Sequence, residues 1–291
     1  MFSWDLLSGA VVFGLLVGCF YAAVAMGLTV AFGLLDVPNF AHPSFLVAGA
    51  YGTYLLGGYG WDPILAGFAL SPLFFVFGVV FYRIYHATFE KRGTDVNLRG
   101  LAFFFGIAFI IEVLLILGFG VDQRLVEAEY IGSSVDFTDN LRVPSRLLVG
   151  FAAALLLTLG LSLFLSKTFM GRAIKAVAQD QVALSLMGAD PVKIKQWAFG
   201  IATAVTAIAG ALLIITGPVD PQLGRLYIGR TFCVVVLAGL GSMSGTLVAG
   251  LILGVAESIV LTFFGASWAP AVAFGLLLVV LGVRPQGLFG R

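Results

Sequence analysis

Charge is what this chain has least of. Its 16 Lys and Arg and 15 Asp and Glu make up 11% of 291 residues, whereas a water-soluble surface is roughly a quarter to a third charged. A soluble globule is therefore excluded. Histidine and cysteine each occur twice. His42 has no Cys, His or Glu companion at metal-ligand spacing, so no metal is expected. Cys19 and Cys233 fall inside apolar runs, where a buried thiol is the expected state rather than a disulfide. There is no H-E-x-x-H motif, no Ser/His pair at plausible spacing and no pair of facing aspartates, which argues against an intramembrane enzyme. There is also no G-x-x-x-x-G-K-S/T phosphate loop, so the chain has no recognisable grip on ATP.

What it has instead is apolar length. Hydrophobic residues form 60% of the sequence, and at about 20 apolar residues per bilayer crossing there is room for roughly eight or nine spans and no separate soluble domain. The fold expected is an all-α, polytopic transmembrane bundle in one domain over residues 1–291. Apolar segments run near 7–34, 44–58, 63–85, 98–120, 146–166, 197–217, 229–240, 245–264 and 268–284. The first has no Lys or Arg before it and no small-residue cleavage site, so it reads as a span. The second and seventh are short for spans and adjoin polar or glycine-rich breaks, which marks them as candidate pieces of discontinuous helices. The 37 glycines suit close helix packing in lipid.

Loop charge orients the bundle, because Lys and Arg in short loops stay on the cytoplasmic side. Arg83, Lys91, Arg92 and Arg99 cluster in one connection, and Lys167, Arg172, Lys175, Lys193 and Lys195 in another, with Arg284 and Arg291 at the C-terminus. The connection 121–146 instead carries Asp122, Glu127, Glu129, Asp136 and Asp139 against three arginines and is expected to face outward. With a cytoplasmic C-terminus, the N-terminus is outside if all nine segments cross and inside if one is re-entrant.

Four stretches carry candidate function. In "LLDVPNFAHPSF", residues 34–45, Pro38 and Pro43 interrupt the helix. Unwound backbone at membrane depth survives only where protein buries it or a wet cavity lines it. Asn39, Phe40, His42, Pro43 and Ser44 are accordingly candidate pathway residues, with a plain surface loop as the alternative. "GLGSMSG", residues 239–245, offers a second break, adding Gly241, Ser242, Ser244 and Gly245, with a simple glycine turn as the alternative. On this reading residues 28–58 and 231–264 correspond in two pseudo-symmetric halves, an inverted repeat. The basic stretch 167–195 should form short helices outside the membrane, with Asp180 near a start and Gly188 at a stop, either resting on anionic lipid or docking a partner. "GPVDPQLGRLYIGR", residues 217–230, should be an external loop whose Asp220, Arg225 and Arg230 are solvated or meet a binding protein. Finally, Glu112 and Glu257 lie within apolar runs, toward the outer parts of their helices, as candidate gating or structural acids.

Several of these stretches are similar to one family. "GRAIKAVAQD" with "LMGAD", "GLGSMSGTLVAGLILGVAES" and the terminal "RPQGLFGR" resemble the membrane subunits of branched-chain amino acid ABC importers, and "NFAH" after "YAAVAMGLTVAFGLL" resembles the LivH branch rather than its LivM partner. Pro43 follows His42 where the family usually has glycine. The resemblance implies a bacterial inner-membrane permease with a cytoplasmic C-terminus. It would work beside a second, LivM-like permease, two cytosolic P-loop ATPases that hold the ATP and Mg, and a periplasmic substrate-binding protein. Membrane lipid but no nucleic acid completes its surroundings. No cofactor is expected in this chain. The resemblance also implies that Gly171, Arg172, Ala176, Asp180, Leu186, Met187 and Gly188 form the region that couples to the ATPase. Branched-chain amino acids are the expected cargo, with urea, short amides or small aromatic acids as alternatives. A secondary transporter driven by an ion gradient is the rival from another class, weakened because only Glu112 and Glu257 are available as intramembrane acids.

Overall fold

The computed structural model describes residues 4–93, 96–138 and 141–290. Asp139 and Arg291, which count toward the loop charge asymmetry, lie outside the described residues. In chain order the helices are α1 (Trp4–Leu28, continued as a π-helix over Thr29–Leu34), α2 (His42–Gly57), α3 (Pro63–Thr88), α4 (Val96–Phe119), α5 (Ser145–Lys167), α6 (Phe169–Gln179), α7 (Gln181–Leu186), α8 (Pro191–Thr216), α9 (Gly224–Ala238), α10 (Met243–Phe264) and α11 (Ala269–Val283). Seven of these rods are long and apolar enough to cross a membrane, α11 when counted with the 3-10 turn Ala266–Trp268 before it; α2 and α9, of 16 and 15 residues, are the short pieces. A hairpin of β1 (Ser134–Thr138) and β2 (Leu141–Pro144) pairs antiparallel, with Val135 opposite Val143.

Local chemistry sets several helix starts. Asp62 caps α3 by accepting from the Ile64 and Leu65 amides, with Pro63 in the first turn. Asp190 and Pro191 repeat the device at α8, and Ser242 caps α10 by accepting from the Gly245 amide.

Close helix packing rests on small residues. A Cβ on Gly14 or Gly18 would strike the α10 backbone at Val255 or Gly250, and one on Gly250 or Gly254 would strike α1 at Ala22, Gly18 or Gly14. α1 and α10 thus pack backbone to backbone and antiparallel. α3 and α8 do the same, with Gly67 against Ala211 and Gly78 against Gly200. Such close approach brings the van der Waals attraction that holds helices together where surrounding lipid is as apolar as the side chains.

These pairings define the repeat. α1 packs on α10 as α8 packs on α3, α2 lies against α8 as α9 lies against α1, and α2 touches α3 and α4 as α9 touches α10 and α11. The halves therefore align α1–α4 with α8–α11. This moves the second discontinuous helix: its break is 217–223, between α8 and α9, whereas 239–242 is a tight turn between α9 and α10. Prolines explain the difference. Pro218 and Pro221 stop helix as Pro38 does in the first break, while Gly239 and Gly241, at φ of 88° and 81°, reverse the chain. The expected external loop is likewise shorter, because α9 starts at Gly224 and takes Arg225 and Arg230 into the bundle.

Following the rods gives two faces. The β hairpin and the 120–133 segment lie on one, where Arg124 and Val219 exchange backbone hydrogen bonds. The α6 and α7 helices lie on the other, together with the C-terminal segment, whose Leu288 and Phe289 amides donate to the Leu237 and Ala238 carbonyls. Nine traversals alternate between them, so Trp4 and Gly290 sit on opposite faces.

Candidate functional site

The first break is short and buried on either side of the exposed Asp36. Two amides reach back five and six residues, Leu35 to the Val30 carbonyl at 3.2 Å and Val37 to the Ala31 carbonyl at 3.0 Å, which widens the last turn of the α1 rod into its π segment. Asp36 then adopts φ 55°, and Pro38 ends any helical ladder. Asn39 is buried with its side-chain oxygen unpartnered among the described residues. His42 is buried too; its Nε2 donates to the Val24 carbonyl at 2.8 Å, and its ring fills the notch left by Gly27. It is a peg joining α2 to α1. Phe40 lies against Phe232 of α9, ring centres 4.7 Å apart.

Both short helices begin inside the bundle. α2 runs from His42 toward the hairpin face, where Tyr51 and Tyr54 pack on Phe119, and α9 runs from Gly224 to the opposite face. Their first turns meet: a Cβ on Gly224 would lie 3.3 Å from the Pro43 carbonyl oxygen and 3.6 Å from the Ser44 amide. Two positive helix ends therefore converge. Beside them is a cavity of about 330 Å³, lined by Ser44 of α2, Pro221, Gly224, Arg225 and Ile228 of the second break and α9, and Phe105, Ala108, Phe109 and Glu112 of α4.

The two intramembrane acids are both ion-paired. Arg225 grips Glu112 in a fork, Nε to Oε2 at 3.1 Å and Nη2 to Oε1 at 2.5 Å. Glu257 accepts from Arg230 Nε at 2.9 and 3.2 Å and from the Tyr21 hydroxyl at 2.6 Å. The Arg230 guanidinium also stands 5.6 and 5.5 Å from the Tyr21 and Tyr227 ring centres. Each acid lies seven residues before the end of its helix, Phe119 or Phe264, or about 10 Å below that end at 1.5 Å per residue. Sequence reasoning missed the arginines because the prolines of 217–230 suggested a solvated loop. The signal available was electrostatic, since a carboxylate at that depth requires a cation.

The other predicted residues lie on the far face. Gly241 is pressed against Gly33, whose Cβ would lie 2.4 Å from the Gly241 nitrogen; Ser242 and Gly245 belong to the α10 cap, and Ser244 is exposed. One turn on, the Thr246 and Thr29 hydroxyls meet at 2.9 Å. This turn closes on the π segment, away from the cavity.

On the same face α6 packs its buried side, Ile174 and Val177, against α5 and α8, and α7 beyond it buries no residue. Thr168 caps α6 by accepting from the Gly171 amide, and Gly171 is buried against Leu165 so closely that a Cβ there would strike backbone. Asp180 caps α7 by accepting from the Val182 and Ala183 amides, both at 2.9 Å. Gly188 ends it in the left-handed region, φ 82°. Ala176 is half-buried, Arg172, Asp180 and Gly188 are exposed, and Leu186 and Met187 are 84% and 83% exposed. Beneath them is a cluster the sequence did not reveal. Glu90 accepts from Lys195 Nζ at 2.6 Å, from the Tyr82 hydroxyl at 2.7 Å and from His86 Nδ1 at 2.8 Å, tying the end of α3 to the first turns of α8. Burial works to raise the Glu90 carboxyl, but the hydrogen bonds from Lys195, His86 and Tyr82 outweigh it and hold it below its ordinary value.

Comparison with known proteins fits this arrangement. The family described as the branched-chain amino acid transport system permease component matches residues 10–281. The chain belongs to this family. Among individual permeases it is similar to the high-affinity branched-chain amino acid transport system permease protein BraD of Pseudomonas aeruginosa, 31% identical over 96% of this chain and 94% of that one. It is also similar to LivH of Escherichia coli K12, 27% identical over 96% and 94%, and to LivM of Salmonella typhimurium, 28% identical over 92% of this chain and 67% of that one. These relatives are named as permease components, not enzymes.

Proposed function

We propose that this permease is one of two membrane subunits of an ATP-driven importer that carries branched-chain or related small amino acids into the bacterial cytoplasm. Hydrolysis is confined to two P-loop ATPase partners holding ATP and Mg, and a periplasmic binding protein delivers the cargo on the hairpin face. The C-terminus and α7 are then cytoplasmic. The observation that carries this reading is α7: a helix capped at both ends that holds Leu186 and Met187 almost fully in the open, beside the exposed Val182. Three exposed apolar side chains on one short rigid helix match a socket on another protein better than water.

The mechanical path is short. α7 leads through Gly188 into α8, a mostly buried rod whose other end is the break at 217–223 and then Arg225. The Glu90 and Lys195 pair makes α3 and α8 move together. A push on α7 from closing nucleotide sites thus reaches the cavity along one helix.

A second permease is supported by Arg225, whose side chain is 61% exposed within the depth of the bilayer. A guanidinium there must face protein or water, not lipid. The test is co-expression with candidate ATPase and permease subunits. The doubly substituted Leu186→Asp, Met187→Asp chain should keep the second permease but lose the ATPase on purification and lose ATP-dependent leucine uptake in proteoliposomes. Retention of both would refute the assignment of α7.

A further inference from the structure

The two ion pairs, whose acids lie at equal depth, differ in exposure and surroundings: the Arg225 side chain is 61% exposed and that of Arg230 18%. Arg230 is enclosed by the Tyr21 and Tyr227 rings, and the space beside it is only about 20 Å³. No solute fits there. The Glu112 and Arg225 pair instead borders the cavity of about 330 Å³, within the range of pockets that hold small molecules. The larger cavity of about 540 Å³, between α3, α5 and α8, is lined by Leu, Ile, Val, Phe, Ala and Gly alone, and one of about 260 Å³ near Phe20 has no charged residue on its wall. Of these four cavities, the one at α4 and α9 joins volume to full charges.

Those charges are incompletely used. Glu112 engages Arg225 through Nε and Nη2, which leaves Nη1 and the second edge of the guanidinium without a partner among the described residues. Each Glu112 oxygen accepts one bond and can accept another. A free cationic edge and a carboxylate with spare lone pairs, held side by side, form a receptor for a molecule carrying both charges on adjacent groups. The converging starts of α2 and α9 add positive potential at the same point, and Phe105, Ala108, Phe109 and Ile228 supply an apolar wall.

We propose that the Glu112 and Arg225 pair binds the zwitterionic head of an α-amino acid, carboxylate on the free edge of Arg225 and ammonium on Glu112, with an aliphatic side chain against the Phe105 and Ile228 wall. This rests on the importer reading and gives it a substrate contact. Ion pair and substrate coexist, so the bundle need not break the salt bridge to load cargo.

The experiment uses the complete importer in proteoliposomes, with radiolabelled leucine, and measures uptake, ATP hydrolysis and subunit copurification for wild type, Arg225→Lys, Glu112→Gln and the swap Glu112→Arg, Arg225→Glu. Lysine keeps the charge but loses the fork. We expect about a tenfold or greater loss of uptake in Arg225→Lys and Glu112→Gln with subunits still copurifying. The swap restores an ion pair with its poles exchanged, so uptake should stay low if the pair reads the substrate and should recover if it only holds helices. In a separate Ser44→Cys chain, leucine should slow maleimide labelling, while the keto acid and the amine that each lack one charge should not; Cys19 and Cys233 are buried. Recovery in the swap, unchanged uptake in Arg225→Lys, or equal protection by the singly charged analogues would overturn the proposal. A wild-type complex that assembles but takes up no leucine would instead bring down the importer reading, and this inference with it.

Discussion

Removing the cation from the enclosed pair should damage the bundle more than removing the pair. Glu257 is 6% exposed at its side chain and depends on Arg230, 18% exposed, and on Tyr21 for its hydrogen bonds. In Arg230→Met only the Tyr21 hydroxyl remains to meet a carboxylate in apolar surroundings. Breaking one partner of a buried pair costs about 3–5 kcal/mol. The Tyr21 hydroxyl still meets one carboxylate oxygen, which puts the expectation at the low end, about 3 kcal/mol. Glu257→Gln should cost about 2 kcal/mol, because it strands a guanidinium that the Tyr21 and Tyr227 rings still partly satisfy. The double variant Arg230→Met, Glu257→Gln removes both charges together and should cost about 1 kcal/mol, since replacing a whole buried pair is often near neutral.

The singles thus sum to about 5 kcal/mol against about 1 for the double, a coupling of about 4 kcal/mol. Reversible unfolding in mixed micelles, followed by helical circular dichroism for wild type and the three variants, measures it. Tyr21→Phe serves as the control and should cost about 1 kcal/mol, the net value of one hydrogen bond to a charge in a membrane protein. If the single losses simply add, or if Arg230→Met costs less than Tyr21→Phe, the pair is not an isolated unit inside the bundle and the reasoning fails.

Other outcomes follow from the same geometry. Gly254→Ala places a methyl within 2.4 Å of the Gly14 oxygen; α1 and α10 must part, lowering stability by about 1–3 kcal/mol in the same micelle assay, whereas Gly275→Ala, with nothing nearby, should be silent. Glu90 is held below its ordinary pKa, so the stability it adds is present above about pH 4 and is lost as pH falls through the depressed folded value. Thermal scans in acid should show that loss in wild type and a flatter profile in Glu90→Gln. Asp180→Ala removes the α7 cap, worth about 1 kcal/mol of local helix stability, and Gly188→Val strains a φ of 82°; both should raise amide hydrogen exchange across 181–188 and weaken ATPase capture while leaving the rods protected.

Much of the bundle was legible because apolar length is a one-dimensional signal. The stretches 44–58 and 229–240, too short to span, are α2 and α9, the pieces that start inside the protein. What could not be read was pairing across the bundle. Glu112 meets Arg225, 113 positions away, and nothing local marks either partner. Tyr21 and Glu257, 236 positions apart, join through α1 and α10, which touch only because Gly14, Gly18, Gly250 and Gly254 let their backbones approach. Glycine also misled, because read locally 239–245 is as good a helix break as 34–45. A glycine can open a helix, reverse a chain or admit a neighbour, whereas two prolines three positions apart, at 218 and 221, make a stronger stop, and they mark the counterpart of Pro38.

The inverted repeat explains why the charged cavity lies where it does. Each half sends one long rod across, breaks, and restarts a short helix part-way through the bundle. Inversion then points the two short helices to opposite faces while their first turns touch at Pro43, Ser44 and Gly224. Any solute crossing the bundle near that point meets two positive helix ends, which favour a carboxylate and disfavour a cation. The halves are not equal there, because α9 opens on Gly224 and Arg225 where α2 opens on the buried His42 and Pro43. One half builds a rigid peg into α1 through the hydrogen bond from His42 to Val24, and the other leaves a guanidinium edge open beside α4. A bundle with two pegs would be a plug, and one with two open arginines would repel itself. On the coupling reading proposed above, a force applied at α7 would reach Arg225 through α8 and the second break, while the hydrogen bond from His42 holds the start of α2 to α1.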